Sequence, residues 1–121
     1  VSALCLAAGG EVVRVATVAF TLAWTHTIER TEWQEDWRVA PAALVLVEAR
    51  VKGTGAGMEP PEGARFDGAW WRWSPDLSVP AVTLRRAPEA GDWRLCVDGA
   101  CRPFGALLPA DADPVTMSAC P

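Results

Sequence analysis

Phe20-Thr-Leu-Ala-Trp24-Thr-His26-Thr-Ile28-Glu29, a short break at Arg30-Thr31, and then Glu32-Trp33-Gln-Glu35-Asp-Trp37-Arg-Val39 form the stretch on which the fold turns. Phe20, Leu22, Trp24, His26 and Ile28 recur at period two, with Thr21, Ala23, Thr25, Thr27 and Glu29 between them. Trp33, Glu35, Trp37 and Val39 repeat the pattern, alternating with Glu32, Gln34, Asp36 and Arg38. A period of two belongs to a strand whose two faces meet different surroundings. Two such strands around a short break predict a hairpin. A two-residue turn at Arg30-Thr31 would set Ile28 against Trp33, His26 against Glu35 and Trp24 against Trp37. All six side chains would then share one face. This register depends on the loop length, because each added loop residue shifts the pairing.

Strand patterns continue outward. Val12–Val18 is rich in β-branched residues, and residues 43–51 (Ala-Leu-Val-Leu-Val-Glu-Ala-Arg-Val) are almost continuously apolar. Further short strands are predicted at 69–74, 82–87, 93–97, 100–104 and 115–120. Residues 52–65 lose all periodicity and read as a loop, and 105–114 as a connection containing Pro and Asp. No segment carries a sustained helical period with caps. Short strands separated by turn signals predict one all-β domain over residues 1–121, an antiparallel β-sandwich or a partly closed β-barrel.

Composition agrees. The 121 residues suit a single domain, and ten Gly, ten Pro, seven Trp and no Tyr suit strands and turns. Fifteen acidic residues against eleven basic ones give a net charge of −4, with no basic stripe for nucleic acid. Residues 1–24 are apolar, but Gly9-Gly10, Glu11 and Arg14 interrupt them, so no membrane span is expected there. The segment lacks the basic start of a secretory leader and reads as part of the domain.

Four cysteines stand at 5, 96, 101 and 120. Cys96-Val-Asp98-Gly99-Ala-Cys101 reads as a hairpin with an Asp-Gly turn, which sets Cys96 opposite Cys101. Cys5 and Cys120 remain, and joining them would tie the two ends of the domain. Disulfides imply an oxidising compartment such as a periplasm, although free thiols in a cytoplasmic protein are the alternative. A four-cysteine zinc site is disfavoured, since Cys5 and Cys120 do not stand in closely spaced pairs.

The candidate binding residues follow from the hairpin. His26 is the sole histidine, and Glu35 would meet it among Trp24, Trp33 and Trp37. Pairing lowers the cost of burying either polar group. Such a pair is either a register-fixing element of the core or one wall of a ligand pocket. Glu29 is a third acidic candidate, although it points to the other face. Gly53-Thr-Gly-Ala-Gly57 lacks the Gly-Lys-Ser/Thr of a nucleotide loop and reads as a bend. Trp71 and Trp73 share one strand face, and Trp70 and Arg72 the other, so at least one Trp should lie outside the core. No Gly-x-Ser-x-Gly elbow occurs, and no complete catalytic set, metal site or cofactor motif is found.

The motif from Phe20 to Glu29, the run Trp33-Gln-Glu35-Asp-Trp37-Arg-Val, the segment Glu48–Pro61 with its glycines, and the Trp93–Cys101 hairpin together resemble the bacterial domain of unknown function 1850 family. Thr27-Ile28 departs from that family's Ser-Val and keeps both the hydroxyl and the β-branch. The resemblance implies a bacterial domain encoded near TAXI-type TRAP transporters. It implies a non-enzymatic accessory or binding role beside a periplasmic solute-binding protein or membrane permease. The location implied is periplasmic, or at the periplasmic side of the membrane. The alternative from the residues themselves is a small-ligand or metal-binding module using His26 and Glu35 in a Trp-lined pocket.

Overall fold

The computed structural model describes residues 2–26, 30–53, 61–87 and 91–121. The first hairpin pairs β1 (Ala3–Ala8) with β2 (Glu11–Val15) through Gly9-Gly10. Both glycines have positive φ, +59° and +81°, as a two-residue hairpin turn requires. The Gly-Gly pair is thus a turn inside a strand pair, and β2 stops at Val15 rather than Val18. There Thr17 donates its backbone N–H to the Val15 carbonyl and its hydroxyl to the Ala19 carbonyl.

β3 (Ala19–Thr25) and β4 (Glu32–Ala40) form the anticipated hairpin in a different register. Trp24 faces Trp33, Leu22 faces Glu35 and Phe20 faces Trp37. Relative to a turn at Arg30-Thr31, the pairing is displaced by four positions. The loop is longer: the His26 N–H donates to the Thr31 carbonyl, and the Arg30 N–H to the His26 carbonyl. An even displacement keeps every side chain on its predicted face and changes only its partner.

β4 continues into β5 (Ala43–Lys52), where one bulge reorganises the pattern. Asp36 pairs with Glu48 and Trp37 with Leu46, so Val47 is the extra residue. Val47 is 48% exposed, whereas Leu44, Leu46, Ala49 and Val51 are all buried. The inserted residue switches strand parity. Inward positions on both sides of the bulge thereby become apolar. The nearly continuous apolar run is therefore a one-sided strand with a phase change.

Beyond β5 the chain makes β6 (Arg65–Phe66), β7 (Trp70–Trp73) and β8 (Leu77–Val79). β7 and β8 lie end to end against β5: Ala49–Lys52 pairs with β7, and Leu44–Leu46 with β8. A single residue, Pro80, separates β8 from β9 (Ala81–Leu84), and the chain changes sheets there. The hairpin of β10 (Arg94–Val97) and β11 (Ala100–Pro103) follows, then a 3-10 turn at Phe104–Ala106, and finally β12 (Val115–Cys120).

Two sheets result. The smaller has the order β2-β1-β12-β9, and the larger β11-β10-β3-β4-β5-β7-β6 with β8 at the side of β5. The prediction of an all-β sandwich-like fold holds. Among the described residues no sheet is closed into a barrel, since neither pairs its first strand with its last. Leu4, Leu6, Leu84, Val115 and Met117 pack from the smaller sheet onto Phe20, Leu22, Trp37, Val39, Leu44, Leu46 and Leu95 of the larger one. Phe104 and Leu108 of the connection close one end. Each fully buried Leu in this set contributes about 1.5–3 kcal/mol by leaving water.

Both disulfides form as the sequence indicates. Cys96 lies directly opposite Cys101, with Asp98 and Gly99 at φ +53° and +82° in the turn. Cys5 is bonded to Cys120 across the paired strands β1 and β12.

Connection 105–114 is held down by an ion pair. The Arg86 guanidinium donates to both Asp92 carboxylate oxygens at 3.1 and 2.9 Å, and to the Pro109 and Ala112 carbonyls. Asp92 also accepts the backbone N–H groups of Trp93 and Gly105. Arg86 is thus a structural clasp.

Candidate functional site

The inner face of the larger sheet carries a row of indoles: Trp93 meets Trp24 with ring centroids 5.0 Å apart, Trp24 stacks on Trp33 at 6.1 Å, and Trp33 meets Trp73 edge-on at 6.1 Å. Trp33 reaches Trp73 across β5, where Ala49, the residue opposite both Glu35 and Trp73, is small. All four rings are half-buried. The indole N–H groups of Trp33 and Trp71 are shielded from solvent and have no acceptor among the described residues.

A cleft of about 490 Å³ opens at the Trp93–Trp24 end of this row. Trp24, Trp37, Leu46, Leu77 and Val79 form its floor on one face of the larger sheet, Trp93 stands beside Trp24, and Ala81–Leu84 of β9 in the smaller sheet border it. Glu35 is the one ionisable residue lining it among the described residues, and Thr83 of β9 lies at its border. The volume is within the range of small-molecule sites.

Glu35 is placed here by strand alternation, since it lies between Trp33 and Trp37 on the inward face. Its Oε1 accepts the Trp37 indole N–H at 3.1 Å. Oε2 has no hydrogen-bond donor among the described residues. Burial against the apolar walls pushes the Glu35 carboxyl above the ordinary range, and the Trp37 hydrogen bond opposes this only in part.

The predicted constellation is therefore split. Trp24, Glu35 and Trp37 line one cleft, and Trp33 continues the aromatic row beside it. His26 is not opposite Glu35. It stands at the hairpin end, four positions along the ladder, roughly 13 Å at strand spacing. Its pairing with Glu35 is corrected by the longer loop. Ile28 and Glu29 lie outside the described residues, as do residues 54–57 of the Gly-rich segment. Among the described residues no three His, Cys, Asp or Glu side chains gather to hold a metal, so the metal-binding alternative gains no support. No signal in the sequence singles out Trp93, Leu77 or Val79 as site residues. The Trp93 indole N–H donates to the Arg85 carbonyl, which orients the ring.

The outer face of the same sheet is built differently. Arg50 donates to Asp36, Glu48 and Gln34, and Arg72 to Glu48 and Asp67. Burial alone would raise the Asp36 carboxyl, but Arg50 and the Thr21 hydroxyl more than offset it and hold it low. Arg72, with the backbone N–H groups of Trp70 and Ala69, holds the Asp67 carboxyl down at about 2. Trp70 lies on this face beside Arg50 and Lys52, with both cations within 6 Å of its ring. These charges are mutually satisfied, and the network braces β4, β5 and β7 together.

A two-sheet β domain with an open aromatic cleft and one half-buried acid is the class of protein this geometry defines. Over residues 20–104 the chain matches the model of the family described as a domain of unknown function (DUF1850), and it belongs to that family. No curated protein and no solved structure matches it. The matched span contains the larger sheet, apart from Ala19 at the start of β3, and also β9, whereas β1, β2 and β12 fall outside it.

Proposed function

We propose that this domain is a non-enzymatic binding module whose ligand-facing element is the Trp24–Glu35–Trp37–Trp93 cleft. The observation that carries the reading is the Trp-lined cleft between β9 and the larger sheet, with one carboxyl at its side. Apolar walls with few polar groups are the usual make-up of small-molecule sites. Two disulfides support residence in an oxidising compartment. The accessory role beside a TAXI-type TRAP solute-binding protein or permease belongs to the same proposal and comes from the family resemblance alone.

The test is a fragment screen read through the indole N–H resonances of the ¹⁵N-labelled protein. Ligands are expected to shift Trp24, Trp37 and Trp93 together and to leave Trp70 in place. A screen whose hits all fall elsewhere, or that yields none, refutes the reading of the cleft. The transporter role has its own test, co-purification of the tagged protein with the solute-binding protein or permease. Failure to recover either from solubilised membranes would remove that part.

A further inference from the structure

We propose that the cleft is selective for organic ammonium ions carrying small apolar substituents. This rests on reading the cleft as a ligand site and names the ligand's chemistry. Among the described residues the lining includes no Lys, Arg or His, and Glu35 is the one group there that carries charge. Its Oε1 is occupied by the Trp37 indole N–H, and Oε2 is left for a further partner. An anion entering the cleft would meet this carboxylate with no compensating cation. A sugar presents several hydroxyls and needs several directed partners, whereas among the described lining residues the Trp37 and Trp93 indole N–H groups are already donated, which leaves few side-chain groups beyond Glu35 and the Trp24 indole N–H.

An alkylated ammonium ion matches what is present. Its positive charge lies against the carboxylate, and its alkyl groups lie against Leu46, Leu77 and Val79. Indole faces attract such cations through the ring quadrupole, and Trp24 and Trp93 meet at 53°, so that two differently oriented rings border the same space. The burial that disfavours the Glu35 carboxylate is relieved when a cation sits beside it. The net charge of −4 adds a weak long-range attraction for cations.

The experiment compares choline with 3,3-dimethylbutan-1-ol, its neutral isostere, in titrations of the ¹⁵N-labelled wild type and Glu35→Gln. The amide of that variant keeps an acceptor for the Trp37 indole, so the cleft keeps its wall. Choline is expected to shift the Trp24, Trp37 and Trp93 indole signals of the wild type. The neutral isostere should bind about tenfold or more weakly, and Glu35→Gln should weaken choline by a similar factor. Equal binding of choline and its isostere, or choline binding unaffected by Glu35→Gln, overturns the cation assignment and leaves the cleft standing as an apolar site. If neither probe shifts these indoles, the cation assignment is also overturned, and the fragment screen alone then decides whether the cleft binds anything.

Discussion

Replacing Arg86 with alanine removes the clasp that fastens residues 105–114 to the sandwich. Arg86 is only 8% exposed along its side chain, and its guanidinium makes two bonds to Asp92 and two to backbone carbonyls. Breaking a buried ion pair by removing one partner costs about 3–5 kcal/mol, because the other charge stays behind. The lower end applies here, since Asp92 retains the Trp93 and Gly105 N–H groups. With an unfolding entropy of about 2.1 cal/mol/K per residue, a loss of about 3 kcal/mol lowers Tm by about 12 °C. Arg85→Ala is the control. Arg85 is 77% exposed and its side chain bonds to Asp113, so its loss should change stability by about 0.5 kcal/mol or less. Denaturant unfolding of both variants with disulfides intact separates the two cases. Equal, small effects would refute the assignment of Arg86 as a buried clasp.

Three other outcomes are expected. Burial raises Glu35 above its ordinary 4.5, so between that value and its folded one the native chain holds a proton that the unfolded chain has lost. Stability drawn from the protonated form is complete below 4.5 and falls as pH rises through that window; Glu35→Gln should therefore gain on the wild type as pH rises from about 4 to about 7, measured by urea unfolding across pH. Asp67, held at about 2 by Arg72 and two backbone N–H groups, should protonate well below the ordinary 3.8 in a carbon-detected NMR titration. Its contribution to stability is present above 3.8 and is lost as pH falls through about 2, and Arg72→Gln should return its titration toward the ordinary range. Opening Cys5–Cys120 by double Ser replacement should cost about 4–5 kcal/mol on chain entropy, against about 2 for Cys96–Cys101, because they span 115 and 5 residues; comparable thermal losses for the two double variants would contradict this.

Local signals make much of the fold legible. Asp98-Gly99 locates a hairpin, and period two places Trp24, Glu35 and Trp37 on a common face. Gly9-Gly10 carries the same kind of turn signal, which the surrounding apolar residues obscure. The β3–β4 register is not legible, because residues on one face repeat every second position and a loop longer by an even number leaves that pattern intact. The strand of His26 can therefore be read while its partner cannot. The bulge at Val47 leaves no mark in a run where nearly every residue is apolar. The rest of the cleft depends on β8 and β9, which Pro80 separates, and on Trp93, brought beside Trp24 by a pairing between strands about 70 residues apart. No periodicity within a single segment encodes such a meeting.

The strand order of the smaller sheet also bears on how the chain is made. β12 is the last of its strands to leave the ribosome, yet it lies inside the sheet, between β1 and β9. Until Val115–Cys120 emerges, β1 and β9 have no strand to join them. The apolar faces of Leu4 and Leu6 must wait through the synthesis of the entire larger sheet. Cys5 likewise has no native partner during that interval, since Cys96 and Cys101 appear before Cys120. The native Cys5 disulfide thus becomes available only once Val115–Cys120 has appeared.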